Sequence, residues 1–184
     1  MPAPGSVRFE MLKQSSTDAL RDGTLTRKKG YIVVGMHHYP RGLKKDLRDE
    51  YLSALAPSDT LLHDFLEHKK TLGEDHNAAF EACRYEKRFG ITAEGLGHLQ
   101  RLIELGKKQD VYLVCQCRDD ERCHRELLLM LAKDWYGAKT AKLRFAYPDF
   151  AKRLLKKPPA NLDYSVGTSV RGRGLEWPIP MRDE

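Results

Sequence analysis

Apolar positions along this chain follow two rhythms. Tyr31-Ile-Val-Val-Gly35 and Val111-Tyr-Leu-Val-Cys115 are short, continuous apolar runs, the pattern of strands buried on both faces. Val7 to Lys13 alternates apolar and polar residues and predicts a first strand, and Ala141 to Phe145 predicts a last one. Between the two central runs the spacing turns helical. Leu47, Tyr51 and Leu55 predict a helix over 44–55, closed by Pro57. Ser58 caps a helix from Asp59 to about Lys69, and Asp75 caps one from His76 to Phe89, stopped by Gly90. Thr92 opens a further helix that ends near Gly106. After Cys115 come a charged turn, a leucine-rich helix to Tyr136 with Gly137 as its stop, and a short basic helix from Pro148 to Lys157.

Strands alternating with helices predict an α/β fold, a single three-layer domain over residues 1–157 with a mostly parallel sheet flanked by helices. The helices between Lys44 and Lys107 form a long insertion between two neighbouring strands. Residues 158–184 lack periodicity and are rich in Gly, Pro and Arg, which predicts an extended or flexible tail.

Composition narrows the class. With 41% hydrophobic and 32% charged residues, the chain falls outside the disordered range. No apolar run approaches the ~20 residues of a membrane helix, and Met1-Pro-Ala-Pro-Gly5 lacks the charged-then-apolar order of a signal peptide. A cytoplasmic location is expected. The net charge of +6 is uneven: ten Lys/Arg against three Asp lie between Lys133 and Arg173. That stretch suggests a nucleic-acid-associated binding module as an alternative function, although its aromatic residues lack the spacing of a stacking platform. A solvated lysine-rich face is the simpler reading.

Candidate chemistry concentrates at one place. Cys115, Cys117, Cys123 and His124 fall within ten residues, at the carboxyl end of a predicted strand and the start of a helix. Ligands bind at such ends in α/β sheets. A helix N-terminus and Arg118, Arg122 and Arg125 favour a thiolate, so Cys117 or Cys123 is expected to be a reactive cysteine with a depressed pKa. Arg118, Arg122, His124 and Arg125 are candidate anion contacts. The loop His37-His-Tyr-Pro-Arg-Gly42 adds Arg41 as a ligand contact and His37 as an acid or base. A metal is the other reading, zinc or an iron–sulfur centre on Cys115, Cys117 and Cys123 with His124. Adjacent Cys and His on a helix point ~100° apart, which argues against one ion taking both, so no cofactor is expected. Cys83 is expected to be a packing residue, and His63, His68, His76 and His98 structural.

These residues carry a resemblance. Leu113-Val-Cys-x-Cys-x₅-Cys-His-Arg125, followed by Leu-Leu, resembles the closing motif of the family called domain of unknown function 488. Tyr39-Pro-Arg-Gly-Leu-x-Lys45, Leu55-Ala-Pro-Ser58, Leu61, Phe65 and Tyr85-Glu86 resemble its YeaO-like branch. Tyr39 stands where that branch has Trp, and the branch usually lacks this cysteine set. The resemblance runs from about Val7 to Tyr136 and implies the α/β fold, with no settled activity. A more remote likeness is to the rhodanese active loop. It implies a sulfurtransferase with Cys117 as nucleophile and Arg118 and Arg122 as anion contacts, with Asp120 standing where that loop has Gly. The leading expectation is an enzyme-like protein with a cysteine-centred site for a small anionic or nucleotide-like ligand.

Overall fold

A computed structural model describes residues 10–156. Among these residues four strands form one parallel sheet, with seven helices around it. The strands are β1 (Leu12–Ser16), β2 (Tyr31–Val34), β3 (Glu50–Tyr51) and β4 (Val111–Cys115), in the spatial order β1-β4-β2-β3. The helices are α1 (Thr17–Arg21), α2 (Asp59–Thr71), α3 (His76–Ala82), α4 (Tyr85–Arg88), α5 (Ala93–Gly106), α6 (His124–Tyr136) and α7 (Pro148–Leu154). β4 lies in the middle, with Val111 in register with both Leu12 and Tyr31. A strand paired on both edges and covered on both faces must be apolar throughout, which explains the unbroken run at 111–115.

The two faces are covered unequally. Leu12, Val33, Val111 and Leu113 pack into one cluster with Phe80, Phe89, Leu99, Leu102, Leu127 and Phe150, drawn from α3, α5, α6, α7 and the turn after α4. Ile32, Val34 and Val114 face the other way, onto Leu20 of α1 and the loop residues Leu25, Met36 and Leu43. That face has little helix over it, so its cover past β2 is loop.

The caps act as expected: the side chains of Ser58, Asp75 and Thr92 accept from the amides of Leu61, Ala78 and Gly95. Gly137 ends α6 with a positive φ of 64°. Cys83 is buried in the main core, as its helical surroundings suggested.

Four expected elements differ. The first strand is Leu12–Ser16; residues 1–9 lie outside those described, as do Lys157 and the tail. Polar Lys13, Gln14, Ser15 and Ser16 are accommodated because β1 is an edge strand. The helix expected over 44–55 is instead two short 3-10 turns, Lys45–Leu47 and Ser53–Leu55, on either side of β3. Its apolar residues do not share a face: Leu47 and Tyr51 pack on the loop-covered side and Leu55 in the main core. The helix expected over 76–89 breaks at Arg84, which has φ 55°, and the break lets Tyr85 stack on both Phe80 and Phe89. Residues 141–145 form no strand; the chain pairs only through a Leu12–Thr140 bridge. The basic stretch is not one solvated face either, since Arg144 pairs with Asp119 and Arg153 is buried, with its Nη1 on Glu86 O. No helix among the described residues is long and apolar enough to cross a membrane.

Gly95 fixes how α5 meets the sheet edge. A Cβ there would fall 2.3 Å from Ala54 O and 2.8 Å from Ile91 Cγ1. Helix propensity alone would make Gly95→Ala stabilising by about 1 kcal/mol. The overlap with a backbone oxygen is larger, about 1–3 kcal/mol of overpacking. Thermal denaturation is expected to show a lowered Tm for this variant; a raised Tm would mean that the contact yields freely.

Candidate functional site

The carboxyl ends of β2 and β4 open into a cleft of about 740 Å³. Its walls come from α1 (Asp18, Arg21), the loop after β2 (Met36 to Arg41), α2 (Leu62, Phe65, Lys69) and His76 of α3. Cys115, Cys117, Cys123 and His124 line it from the cysteine turn. Arg41 and Cys117 therefore share one end of the sheet, as the strand order requires: β4 and β2 are neighbours and parallel.

Each cysteine is placed by a different local feature. Cys115 is the last residue of β4. Cys117 lies just beyond the strand, with the two Sγ atoms 3.8 Å apart. Cys123 is the N-cap of α6, with φ −149° and ψ 148°. That extended backbone, rather than a helical one, turns Cys123 and His124 to the same side. Their Sγ and Nδ1 stand 3.5 Å apart, so the expected ~100° divergence is absent and both belong to one site. His124 Nε2 donates to Gly35 O at 2.7 Å, which directs Nδ1 at the sulfurs. Cys115, Cys123 and His124 are buried, and Cys117 is the more accessible thiol, half-buried on the cleft side.

Charge is divided unequally among the thiols. Burial disfavours ionisation of Cys123, but hydrogen bonds with Cys115 and Cys117 and the charges of Arg125 and His124 outweigh it, holding its pKa well below the usual thiol range. Hydrogen bonding with Cys115 and Cys123, together with burial, pushes the Cys117 thiol up. Burial opposes the charge on His124 as well, yet the adjacent thiolates raise its pKa well above the ordinary value. The depressed thiol is thus Cys123 at the helix N-terminus.

Arg125 does not reach the cleft. It is 1% exposed, with Nη1 bonded to Ser15 O and Nη2 to Cys117 O at 3.1 Å. The expectation of a direct ligand contact is corrected: this guanidinium braces the cysteine turn from beneath. Arg122 lines the cleft, but its Nη1 is on Ala146 O and its guanidinium stacks over Phe145 and Tyr147. Arg41 and Arg118 line the cleft with side chains that make no hydrogen bond or ion pair among the described residues. His37 also lines it, with Nε2 2.6 Å from Asp59 Oδ1 and a buried, unpartnered Nδ1.

The spacing gives no sign of His76, a residue expected to be structural. The start of α3 carries it to the turn, where Nε2 donates to Arg122 O at 2.7 Å and Nδ1 lies 3.6 Å from Glu121. The donor atoms of His76, Cys117 and Glu121 all lie within 4.8 Å of one another. Next to it, Asn77 clamps the turn by donating to Asp120 O and accepting from Arg122 N. The one signal for these residues was their position after the Asp75 cap, which puts both in a first helical turn.

The rhodanese likeness gains no support from the turn. Such a loop presents free amides to an anion. Here four of the turn's amides, those of Arg118, Glu121, Arg122 and Cys123, already donate to Glu121 Oε2, Arg118 O, Asn77 Oδ1 and Tyr147 OH.

No curated protein and no solved structure matches the chain. One family model does, described as the active DUF488-N3 subclade (DUF488-N3a), over residues 19–135. The match takes in most of α1, the loop after β2, the insertion, β4 and nearly all of α6, so every residue that lines the cleft except Asp18 lies within it. With more than half of its length covered, the chain belongs to the domain of unknown function 488 family.

Proposed function

We propose that this is a cytoplasmic, enzyme-like protein that binds a small anionic or nucleotide-like ligand above a cysteine-centred reacting site. The observation that carries this reading is the pair of unpartnered guanidiniums, Arg41 and Arg118, in the cleft that ends on Cys117, Cys123 and His124. Arg21 and Lys69 add positive charge to the same walls, and Arg122 adds to it at the turn. Their acidic neighbours are partly occupied: Asp18 pairs with Arg21, and Glu121 accepts the Arg118 amide. A cleft of about 740 Å³ also suits a nucleotide-sized ligand. The Tyr39–Lys45 and Leu55–Ser58 motifs support a place in the YeaO-like branch. The description of the matched subclade as active agrees with an enzymatic role.

The anion would meet Arg41 from the β2 loop and Arg118 from the cysteine turn. His37 stands by as a base or acid, and the cysteines face the bound molecule. Binding is tested with pyrophosphate and a nucleoside monophosphate by calorimetry at low salt. Arg41→Ala and Arg118→Ala are each expected to weaken binding about tenfold, the loss of one charge-assisted hydrogen bond. Equal affinity in wild type and both variants removes the reading. Tighter binding to duplex DNA than to either small anion, with a steep salt dependence, would favour a nucleic-acid module instead.

A further inference from the structure

We infer that Cys115, Cys123 and His124 hold one thiophilic divalent cation, zinc above all, with Cys117 moving in from the cleft side as the fourth tetrahedral ligand. The assignment goes beyond the anion reading, and neither Arg41 nor Arg118 takes part in it.

Geometry is the first argument. Around a tetrahedral ion with bonds of about 2.3 Å to sulfur and about 2.0 Å to nitrogen, neighbouring sulfurs lie about 3.8 Å apart and a sulfur and a nitrogen about 3.5 Å apart. Cys115 Sγ and Cys117 Sγ are 3.8 Å apart. Cys123 Sγ and His124 Nδ1 are 3.5 Å apart. The donor atoms of Cys115, Cys123 and His124 all fall within 4.8 Å of one another, whereas Cys117 Sγ groups with His76 and Glu121 and is the donor that must shift. An iron–sulfur cluster would spread its cysteine sulfurs further, so a single ion fits better.

The surroundings of His124 are the second argument. A metal-bound imidazole commonly donates its other N–H to a carbonyl or carboxylate, which fixes both tautomer and ring plane. His124 Nε2 donates to Gly35 O at 2.7 Å, leaving Nδ1 on the sulfur side. A histidine needed only for packing has no reason to turn its second nitrogen toward Cys115 and Cys123.

Charge supplies the third. Arg125 is buried and has no carboxylate partner among the described residues; its hydrogen bonds go to the carbonyls of Ser15 and Cys117, and the negative charge nearest to it is that of the cysteine cluster. A buried guanidinium needs a counter-charge. A divalent ion with three thiolates and a neutral imidazole carries one net negative charge, so with Arg125 beneath it the assembly is neutral. Three of the ligands are buried at the floor of the cleft, while Cys117 stands on its more accessible side. The soft donor set selects zinc over magnesium or calcium.

The test uses the full chain, reduced, washed with chelator and titrated with cobalt(II). One cobalt per chain is expected, with thiolate-to-metal charge-transfer absorption and the intense visible bands of tetrahedral cobalt. Zinc should displace it and protect Cys115, Cys117 and Cys123 from alkylation. Cys123→Ser should weaken cobalt binding roughly hundredfold or more, whereas Cys83→Ser, outside the cluster, should leave it unchanged. The wild-type titration decides the matter even where Cys123→Ser fails to fold. No bound cobalt, or a weak octahedral spectrum, overturns the assignment, as does an equal loss in Cys83→Ser. Calorimetry with pyrophosphate on the chelated chain keeps the two readings separate, because the arginine contacts do not need the ion.

Discussion

Arg125→Met is expected to lower stability by about 3–5 kcal/mol, the scale for removing one partner of a buried charged network. Methionine matches the aliphatic stem of arginine, so little packing is lost. What is lost is the bridge: Nη1 and Nη2 tie Ser15 O, at the end of β1, to Cys117 O in the turn after β4. Both carbonyls would be left without that donor, and each buried orphan costs about 1–3 kcal/mol. The positive charge beside Cys123 disappears as well. Urea denaturation should show a lower midpoint with an unchanged slope. Arg125→Lys should recover part of the loss at most, since an ammonium cannot span two carbonyls as a planar guanidinium does. A loss under about 1 kcal/mol for Arg125→Met would show that the bridge carries no weight, contrary to the expected size of such a network.

Glu126→Ala should follow closely, at about 3 kcal/mol, from several hydrogen bonds lost at a buried position. Glu126 is 1% exposed and accepts from Gln14 Nε2 at 3.0 Å, Arg144 N at 2.6 Å and Tyr147 OH at 2.9 Å. Tyr147 OH in turn accepts from the Cys123 amide at 3.3 Å. One carboxyl group therefore joins β1, α6, the segment before α7 and the N-cap cysteine. Glu126→Gln keeps an acceptor for Tyr147 but turns an amide donor toward Arg144 N or Gln14, so an intermediate loss is expected. Hydrogen exchange provides the local check, with the Cys123 and Arg144 amides exchanging faster in both variants. Unchanged protection at Cys123 would separate the Glu126 network from the cysteine turn.

The sequence located this site because its densest part is local. Cys115 to Arg125 is continuous in the chain, and the flanking β4 and α6 follow from apolar runs and a glycine stop. Arg41 was legible too, since two adjacent parallel strands present their loops at one end. The placement of His76, Asn77 and Phe65 against the turn was not legible. It depends on where α2 and α3 settle, a tertiary outcome that no local spacing encodes. The Cys123–His124 geometry departs from the expected divergence for a related reason: the rule for helical neighbours fails at an N-cap, where the backbone is still extended. The missed β3 shows how little a two-residue edge strand leaves in the pattern. Glu50 and Tyr51 pair with Val33 and Val34, while the leucine spacing around them suggested a helix.

The strand order has a consequence for synthesis on the ribosome. β4 joins the sheet between β1 and β2, and neither of those can pair with the other in its absence. Tyr31–Val34 is made long before Val111–Cys115. At about 5–20 residues per second, the nascent chain waits roughly 4–16 s with an apolar strand and an open edge exposed. Cys115, Cys117, Cys123 and His124 arrive together with and immediately after the strand that completes the sheet, so the sheet and the cysteine turn are made in the same short stretch of translation. A chain stalled before residue 111 would be an aggregation-prone half-sheet, whereas one released past Gly137 already holds the sheet and its cysteines.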